Sequence, residues 1–514
     1  MHTKAHPTPE HVDVLIVGAG ISGLGAAREL KVQCPGQSFL ILEGMESFGG
    51  TWHWHRYPGI RSDSDLYTFG YRFKPWIGPP IASGQEILRY LGEVIEENDL
   101  GPQIRYQHRV LRADWNSDDA RWTLTVFDAE QSKERVFTCN FLWMCQGYYR
   151  HERGYTPNWP DMETFRGRVI HPQTWPDDLD YTGKRVIVIG SGATAATVVP
   201  AMSPTCEHVT MLQRSPTYFS PGVNKHWLAD TLRELNIDDA WIHEIVRRKI
   251  VADGYRFLQR TLDDPASTVQ DLMKGVLAYL PKETVEKHFT PRYRPWQQRI
   301  AVVPDGDLFE EVKAGRVSVV TDRIERFTPD GILVGDGQEI KADIIVTATG
   351  FDLCVLGDIA FSIDGEALNF ADTVTYRGMM FTGVPNMAWI FGYFRAASWT
   401  LRVDMVADFV CRLLNLMKAR GNRKIEVVVP PEDSDMPLFP WIDDELFNPG
   451  YMMRGMHLLP KRGAKPEWAH SQDYWWERDV LPGVDLDDPA FRYDGAGGGN
   501  PTQAARAMKK ASGE

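Results

Sequence analysis

Two stretches of the chain share one order of hydrophobic and polar positions: an apolar run, a glycine-rich turn and a segment with helical spacing. The first, VDVLIVGAGISGLGAAREL, leads into the apolar run SFLILE, and the second, KRVIVIGSGATAATVVPAM, leads into HVTMLQR. Short apolar runs bounded by glycine turns are typical of buried parallel strands, and apolar positions three or four apart are typical of a helix. Each stretch therefore predicts a βαβ unit.

The pattern between and after these units predicts further elements. RVLRADW, RWTLTVFD and RVFTCNFLWMCQG, between about 104 and 147, are strand patterns separated by polar turns, as in a small meander. Apolar residues recur three or four apart between 226 and 290, which indicates helices. VSVVTDRIERF, GILVGDG and ADIIVTATGF predict strands again, and VDMVADFVCRLLNLM predicts a late helix. The predicted fold class is α/β, with two Rossmann-like, three-layer dinucleotide-binding domains and a helical insertion in the second.

Composition narrows the class of protein. A chain of 514 residues is expected to hold two or three domains. Its 56 basic and 69 acidic side chains give a net charge of −13, which argues against nucleic acid or an anionic membrane as the main partner. No apolar run approaches the roughly 20 residues of a membrane span, and the first residues, MHTKAHPTPEH, lack a signal peptide's apolar stretch. We expect a soluble cytoplasmic protein, a monomer by default with a homodimer as the alternative.

The cysteines are scattered and show neither a CxxC motif nor a metal-ligand spacing. They are expected to be buried free thiols, and no metal site is predicted. The positions are Cys34, Cys139, Cys145, Cys206, Cys354 and Cys411.

The first βαβ unit has the spacing of a dinucleotide cradle. Gly18, Gly20 and Gly23 form GxGxxG directly after a strand. The first glycine permits the tight turn, the second lets the backbone approach a pyrophosphate, and the third lets the helix pack on the strand. Glu43 ends the second strand 25 residues after Gly18, where a carboxylate accepts hydrogen bonds from an unphosphorylated ribose. This unit suits FAD or NAD.

The second unit carries Gly190, Gly192 and Ala195 in the same order. Arg214 lies 24 residues after Gly190, at the position that Glu43 holds in the first unit. An arginine there can bind a 2′-phosphate through charge-assisted hydrogen bonds, so this unit suits NADPH; an exposed arginine at a strand end is the alternative. The other cofactor-binding residues expected beside it are Ala193, Thr194 and Ser215.

A protein with both cradles usually transfers a hydride from NADPH to flavin. No cysteine pair close in sequence is present to act as a disulfide acceptor, so we expect the electrons to reach dioxygen or a free substrate. The expected divisions are 1–150 and 385–490 for the FAD-binding domain, 151–225 and 291–384 for the NADPH-binding domain, 226–290 for the helical insertion, and 491–514 for a glycine-rich disordered tail.

Two longer motifs resemble one enzyme family. FRGRVIHPQTWP, at 165–176, is similar to the fingerprint F-x-G-x-x-x-H-x-x-x-W-P/D of Baeyer–Villiger monooxygenases, and GGTWHWHRYPGIRSD is similar to a second signature of that family. RYRPWQQR and AASWTLR look closest to the branch that includes the ethionamide-activating monooxygenase. The matching positions are Phe165, Gly167, His171, Trp175 and Pro176 in the first motif, and Gly49, Gly50, Trp52, Tyr57, Pro58, Gly59 and Asp63 in the second.

The resemblance implies a reaction. NADPH reduces FAD, the reduced flavin adds dioxygen to form a C4a-peroxide, and this peroxide attacks a ketone carbonyl to give a Criegee adduct that rearranges to an ester or lactone. The family's catalytic arginine corresponds to Arg299 and its orienting carboxylate to Asp63. A fixed positive charge suits a developing oxyanion, because arginine keeps its proton at any working pH. A surface arginine and a turn-capping aspartate are the alternative interpretations of these two residues.

The resemblance also implies cofactor contacts and substrates. Gly350, in ATGF, is expected near the cofactors together with Gly50, Thr51, Trp52, Tyr57 and Asp63 of the second motif. Gln298 replaces a lysine that contacts NADP in many members. Aliphatic or aryl ketones are the implied substrates, with thioethers as secondary ones and dioxygen as co-substrate.

Some roles stay open at this stage. His171 is expected to hydrogen-bond backbone and fix the connector between two moving domains, with general-base catalysis as the alternative. Ser398 and Trp399 either approach the flavin or belong to the core. The competing functions are an N- or S-oxidising flavin monooxygenase and a vestigial NADPH-binding flavoprotein.

Overall fold

A computed structural model describes residues 9–393 and 395–495. The α-helices in these residues are α1 (Ile21–Gln33), α2 (Thr51–Trp54), α3 (Leu66–Phe69), α4 (Gly84–Glu97), α5 (Ala193–Met202), α6 (Trp227–Glu234), α7 (Asp239–Asp263), α8 (Pro265–Leu277), α9 (Lys282–His288), α10 (Asp307–Lys313), α11 (Thr400–Arg420), α12 (Gly450–Gly455) and α13 (Tyr474–Val480).

The strands, numbered in chain order, are β1 (Glu10–Val17), β2 (Phe39–Leu42), β3 (Ile104–Arg105), β4 (His108–Asn116), β5 (Arg121–Asp128), β6 (Lys133–Met144), β7 (Tyr149–Gly154), β8 (Arg168–Ile170), β9 (Arg185–Ile189), β10 (His208–Gln213), β11 (Phe219–Gly222), β12 (Ala301–Pro304), β13 (Val317–Thr321), β14 (Ile324–Thr328), β15 (Gly331–Val334), β16 (Glu339–Lys341), β17 (Ile344–Thr347), β18 (Phe351–Leu353), β19 (Ala360–Ile363), β20 (Glu366–Ala367), β21 (Thr375–Tyr376), β22 (Met380–Phe381), β23 (Met387–Trp389), β24 (Asn422–Val427), β25 (Leu438–Pro440), β26 (Lys461–Gly463) and β27 (Phe491–Gly495).

The first βαβ unit lies inside a mixed sheet. Its strand order is β20-β19-β4-β5-β6-β1-β2-β3, and β23 pairs in parallel with β6. The predicted meander is present as the antiparallel strands β4, β5 and β6. Alternate residues of β1 face opposite sides of the sheet. Val14 and Ile16 pack with α1, α4 and α11, whereas Leu15 belongs to a second apolar cluster, which includes Trp389 and Trp441. This sheet is therefore covered on both faces.

The second βαβ unit forms a separate sheet, ordered β13-β10-β9-β17-β8, in which every pairing is parallel. Val186 and Val188 of β9 face α5 and α10, while Ile187 and Ile189 face the three-stranded sheet β14-β15-β16. The result is the predicted three-layer arrangement, in which two dinucleotide-type units follow one another. The helices α6 to α9 occupy the predicted insertion between β11 and β12.

Two predicted boundaries differ from the structure. The segment 291–384 was assigned to the second unit, but β19 pairs with β4 and so extends the first sheet. The segment 491–514 was predicted to be disordered, but β27 pairs antiparallel with β24, which satisfies its backbone groups. The rest of that tail, 496–514, lies outside the described residues, as do positions 1–8.

The chain crosses between the two units twice, and the crossings pair with each other. Strand β7 leads out of the first unit and β18 leads back into it, and the two form an antiparallel ribbon in which Phe351 opposes Gly154. This ribbon is the junction on which the connector at 165–176 lies.

The cysteines are all free; Cys206 is half-buried and the other five are buried. Within the described part of the chain, no helix combines the length and the apolar content needed to cross a bilayer.

Candidate active site

The first glycine-rich turn leaves the N-terminus of α1 open to a ligand. Gly18 has a φ of +103°, and a Cβ there would lie 2.7 Å from the carbonyl oxygen of Cys145. A Cβ at Gly23 would overlap the carbonyl oxygen of Gly18, so the helix packs directly on the turn. Gly20 is the N-cap of α1 and supplies no side chain to the free N–H groups of the first turn. These N–H groups and the helix dipole fit a pyrophosphate.

Glu43 lies directly after β2 and is 5% exposed. Its Oε2 accepts a hydrogen bond from the Ala19 N–H at 2.7 Å, and its Oε1 accepts one from the Met45 N–H at 2.9 Å. Burial raises the pKa of this carboxyl, although the N–H groups oppose the shift. A carboxylate has about four acceptor positions, so the bonds to the turn leave room for a ribose hydroxyl. The ribose contact itself stays a prediction.

The second turn has the same construction. Gly190 has a φ of +139°, and a Cβ there would overlap the carbonyl oxygen of Ala348. Gly192 is the N-cap of α5, and a Cβ on it would meet no atom within 4 Å, so the turn is an open cradle. The Ser191 hydroxyl donates to the Ser215 carbonyl at 3.1 Å, which ties the turn to the end of β10. Arg214 follows β10 and is exposed, and its contact with a 2′-phosphate stays a prediction.

The second motif runs from one cradle to the other. Gly50 lies against the first turn, because a Cβ on it would be 3.3 Å from the Cα of Gly20. Gly59 has a φ of +76°, and its Cβ would lie 2.7 Å from the Cβ of Ala201 on α5. Between them, the Tyr57 hydroxyl hydrogen-bonds the Thr194 side chain at the start of α5. A single segment therefore connects both predicted cofactor sites.

Other predicted cofactor residues contact this segment or its ends. The Thr51 and Tyr149 hydroxyl oxygens are 2.6 Å apart. The Trp52 and Phe69 rings meet edge to face, with their centroids 5.7 Å apart. Ala195 is fully buried in the core beneath α5, as expected where a helix packs on its strand. Their contacts with bound cofactors remain predictions.

The segment ends at Asp63, which forms a two-point ion pair with Arg299. The Nε of Arg299 is 2.6 Å from Oδ2 of Asp63, and Nη2 donates to Oδ1 at 2.9 Å. Nη2 also donates to the Ser64 hydroxyl at 3.2 Å. Each charged side chain keeps about a third of its surface exposed. The sequence-predicted pair is thus brought together, with a fixed guanidinium orientation.

Electrostatics keep the Arg299 guanidinium charged. Burial disfavours the charged form of Arg299, but the charge and hydrogen bond of Asp63, together with the nearby Tyr451 and Tyr148, raise the pKa of the guanidinium above its usual value. Burial also raises the pKa of the nearby Tyr148 to about 12, so that its hydroxyl is neutral. Tyr148 hydrogen-bonds Tyr451 of α12 and stacks on Trp399 at 5.3 Å.

His171 hydrogen-bonds backbone through both ring nitrogens. Its Nδ1 accepts from the Gln173 N–H at 3.1 Å, so Nε2 carries the proton and donates to the Gly350 carbonyl at 3.2 Å. Burial lowers the pKa of the imidazole, which favours this neutral form. The ring lies flat against Gly154, where any Cβ would overlap it. The histidine thus joins the connector to both strands of the β7–β18 ribbon.

The rest of the fingerprint packs around this point. A Cβ at Gly167 would overlap the carbonyl oxygen of Asp343. The Phe165 ring packs edge to face on Phe327 in the core, with the ring centroids 6.4 Å apart. Trp175 and Pro176 follow, and the Trp175 ring meets the edge of Tyr181 at 6.3 Å. These contacts fasten the connector to the second unit.

Ser398 and Trp399 make internal contacts. The Ser398 hydroxyl is 2.6 Å from that of Thr68, and the Trp399 indole donates to Ser22, in the first turn of α1, at 2.8 Å. Trp399 therefore lies beside the first cradle, and Ser398 lines the cavity that contains Arg299. Burial of Ser398 agrees with the core interpretation, and an approach of either residue to the flavin stays a prediction.

A cavity of about 440 Å³ opens at the Arg299–Asp63 pair. The charged and polar side chains in its wall include this pair and Ser64, and also Asp65, Lys225 and His226, while most of the other lining residues are apolar. The apolar wall includes Ile250, Val251, Gly254 and Phe257 of α7, together with Trp475 of α13. Such a mixture suits an apolar small molecule that carries a single polar group.

The sequence did not single out several of these residues. Tyr148 follows β6 at the carboxyl edge of the first sheet, where α/β folds bind ligands, so its position was a usable signal. Ser64, directly after the second motif, and Trp475 line the cavity, whereas Tyr451 hydrogen-bonds Tyr148; tertiary contacts, and no local sequence signal, bring Trp475 and Tyr451 to these positions.

Comparisons with known proteins agree with this geometry. Residues 78–362 match the family described as flavin-binding monooxygenase-like, and residues 16–76 match an NAD(P)-binding Rossmann-like domain. The FAD-containing monooxygenase EthA of Mycobacterium tuberculosis is 43% identical over 487 residues, which cover 94% of this chain and 98% of EthA. The probable FAD-binding monooxygenase AlmA of Acinetobacter baylyi is 42% identical, covering 94% and 96%.

The fold is also similar to solved structures. An oxidized steroid monooxygenase bound to NADP has a TM-score of 0.74 at 23% identity, covering 95% of this chain and all of that one. FAD and NADP(H), which the two cradles predict, agree with the names of these relatives. Since the family model matches more than half of the chain and the curated relatives match nearly all of it, this chain belongs to the family of flavin-binding monooxygenases.

Proposed function

We propose that this chain is an FAD- and NADPH-dependent Baeyer–Villiger monooxygenase. It inserts one oxygen atom of dioxygen between a ketone carbonyl carbon and a neighbouring carbon, giving an ester or lactone. The reaction balances as ketone, O₂, NADPH and a proton giving ester, NADP⁺ and water. One observation carries the proposal: Asp63 holds Arg299 by two contacts, at 2.6 and 2.9 Å, in the wall of a cavity that most of its other lining residues make apolar.

Arg299 supplies the charge that this reaction needs. Oxygen insertion builds negative charge on the former carbonyl oxygen, and a preorganised donor in a water-poor site stabilises such charge. A guanidinium does so without giving up its proton. An enzyme that only oxygenates a soft nitrogen or sulfur has no oxyanion to stabilise, so the pair favours ketone oxidation over that alternative.

The two cradles hold the coenzymes. The turn at Gly18 and Gly20 would bind the FAD pyrophosphate, and the turn at Gly190 and Gly192 would bind that of NADPH, with Arg214 on the 2′-phosphate. Bound FAD supplies the two-electron chemistry that activates dioxygen. The segment from Gly50 to Asp63 links the cofactor sites to the catalytic pair.

Aromatic side chains surround part of the catalytic pair, which itself stays about one-third exposed. Tyr148 is half-buried near Arg299, stacks on Trp399, and has its ring centroid 5.5 Å from that of Phe391. Excluding water strengthens the attraction between Arg299 and a developing oxyanion.

The connector has a mechanical role in this proposal. His171 joins the connector to the β7–β18 ribbon, through which both crossings between the units pass. In this role it guides a shift of the two units relative to each other. The shift first lets NADPH reduce the flavin and then makes room for the substrate. His171 takes no proton in the reaction.

The test uses the purified flavoprotein with NADPH, ¹⁸O₂ and a mixed panel of ketones and methyl thioethers, with products identified by mass spectrometry. Singly labelled esters or lactones are expected. Sulfoxides without any ester would replace the proposal by the S-oxidising alternative. Hydrogen peroxide without any oxygenated product would contradict both.

A further inference from the structure

One face of α7 has two consecutive roles. His243 and Arg247, on its first half, fasten the helix to the first unit: the Arg247 Nη1 donates to the carbonyls of Tyr67 and Gly70, each at 2.9 Å, and its Nη2 is 3.1 Å from Asp404. The His243 Nδ1 accepts from the Trp76 N–H at 3.1 Å. Positions three and four further along the same face then line the cavity. The cavity wall is therefore built on an anchored helix.

Gly254 is the small residue of that wall. It lies in the interior of the 25-residue helix α7, where glycine is destabilising relative to alanine. A Cβ at this position would meet only ordinary contacts: Trp475 Cζ2 at 3.5 Å and the Ala396 carbonyl oxygen at 3.8 Å. Backbone strain therefore does not require glycine here. What the missing side chain provides is space in the cavity.

Trp475 lies against Gly254 and lines the same cavity. Its indole N–H donates to the Val251 carbonyl of α7 at 3.1 Å, so that α13 is tied to the cavity-lining turn of α7. The Tyr255 ring packs against the same indole at 5.4 Å. A tryptophan held in this way is a rigid boundary of the cavity, so a side chain longer than a methyl group at position 254 would have to project past it into the cavity.

We propose that Gly254 and Trp475 determine which ketones fit. With the carbonyl at Arg299, the apolar group of the substrate lies along α7 and ends at the wall that these two residues form, so the preferred substrates are ketones with a long or bulky hydrocarbon group. This inference rests on the proposed function for its chemistry, but the size limit is a property of the cavity and applies to ligand binding without reaction.

The experiment compares wild type with Gly254→Ala and Gly254→Leu across linear methyl ketones of increasing chain length. Binding is measured by calorimetry without NADPH, and turnover is measured as kcat/KM for ester formation. Arg256→Leu is the control, since it adds a leucine to the exposed side of the same helix and removes only a surface ion pair with Asp253. Both variants replace a glycine that destabilises the interior of the helix, so they are expected to fold.

Gly254→Leu is expected to weaken binding of the longest ketones about tenfold, as the loss of roughly two buried methylene groups would, while the shortest ketones bind as in wild type. Gly254→Ala should shift the profile in the same direction by less, and Arg256→Leu should not shift it. Equal loss for all chain lengths, or an unchanged profile in Gly254→Leu, would overturn the inference. If ketones bind with this size dependence but give no ester, the proposed function fails and the size limit stands.

Discussion

Asp63 and Arg299 lie 236 positions apart in the sequence, yet the carboxylate meets the guanidinium edge on, with one oxygen near Nε and the other accepting from Nη2. This geometry fixes the plane of the guanidinium as well as its position. Asp63 ends the segment that touches both cradles, so the orientation of Arg299 depends on the same piece of chain that contacts both cofactor sites.

Asp63→Asn should therefore impair oxygen insertion and not flavin reduction. The amide keeps one acceptor oxygen but loses the charge and one of the two contacts, which corresponds to a decrease in kcat of about ten- to hundredfold. Stopped-flow reduction of the flavin by NADPH without oxygen should stay near the wild-type rate. Ser64→Ala is the matched control, since it removes only a 3.2 Å bond to the same guanidinium. Wild-type ester formation in Asp63→Asn would contradict the positioning role.

Arg214→Ala should weaken the binding of NADPH far more than the binding of NADH. Removing a charge-assisted bond to the 2′-phosphate costs about 1.5–3 kcal/mol, or roughly ten- to hundredfold in affinity. Kd values for both coenzymes, from rapid-reaction flavin reduction, measure the effect. Arg214→Lys keeps the positive charge, so its affinity for NADPH should fall by less than that of Arg214→Ala. Equal weakening of NADPH and NADH would remove Arg214 from the phosphate site.

Gly154→Ala should displace the His171 ring, because the new methyl group occupies its place. We expect a loss of about 1–3 kcal/mol in the free energy of unfolding, typical of overpacking. In a His171→Ala background the same change should cost far less, which gives a coupling energy above about 1 kcal/mol in a double-mutant cycle. Urea denaturation of the four proteins provides the measurement. Additive losses would show that the ring does not depend on Gly154.

His55 predicts a sensitivity to acid. It is buried, and stacks on Tyr149 and Phe351. Burial, helped by the neighbouring His151 and His171, lowers its pKa to about 3. Below about pH 6.5 the unfolded chain therefore binds a proton at this histidine that the folded chain does not bind. The contribution of His55 to the free energy of unfolding is fully present above that pH and is lost as the pH falls toward the folded pKa.

From this site alone, the free energy of unfolding should fall by about 2 kcal/mol between about pH 7 and pH 5. His55→Phe keeps a stacking ring and removes the titration, so its stability should depend less on pH by that amount. Denaturation curves at the two pH values, for wild type and variant, make the comparison. An identical pH dependence in both proteins would contradict the assignment.

Local patterns predicted what depends on local geometry. Both cradles follow from glycines whose spacing and backbone angles are properties of a single turn, as at Gly18 and Gly190. The Arg299–Asp63 contact is different, because sequence spacing says nothing about two loops in different halves of the chain. That pairing was accessible only through the resemblance to a family.

The errors arose where distant segments pair. Strand β19 joins β4 across some 250 residues, so no pattern within 291–384 revealed its membership in the first sheet. In the tail, Phe491 and Tyr493 alternate with polar residues, a strand signal that the glycine-rich composition obscured. Trp475 reaches the cavity only because α13 packs on α7, and nothing local to DYWWERD indicates that contact.

The central claim is that Arg299 stabilises the charge formed during oxygen insertion. The most direct measurement compares wild type with Arg299→Ala for two quantities: the rate of flavin reduction by NADPH, and the yield of ester per NADPH consumed in oxygen. The account predicts a near-normal reduction rate and an ester yield at least about a hundredfold lower, as when an oxyanion donor is removed. An ester yield equal to that of wild type would contradict it.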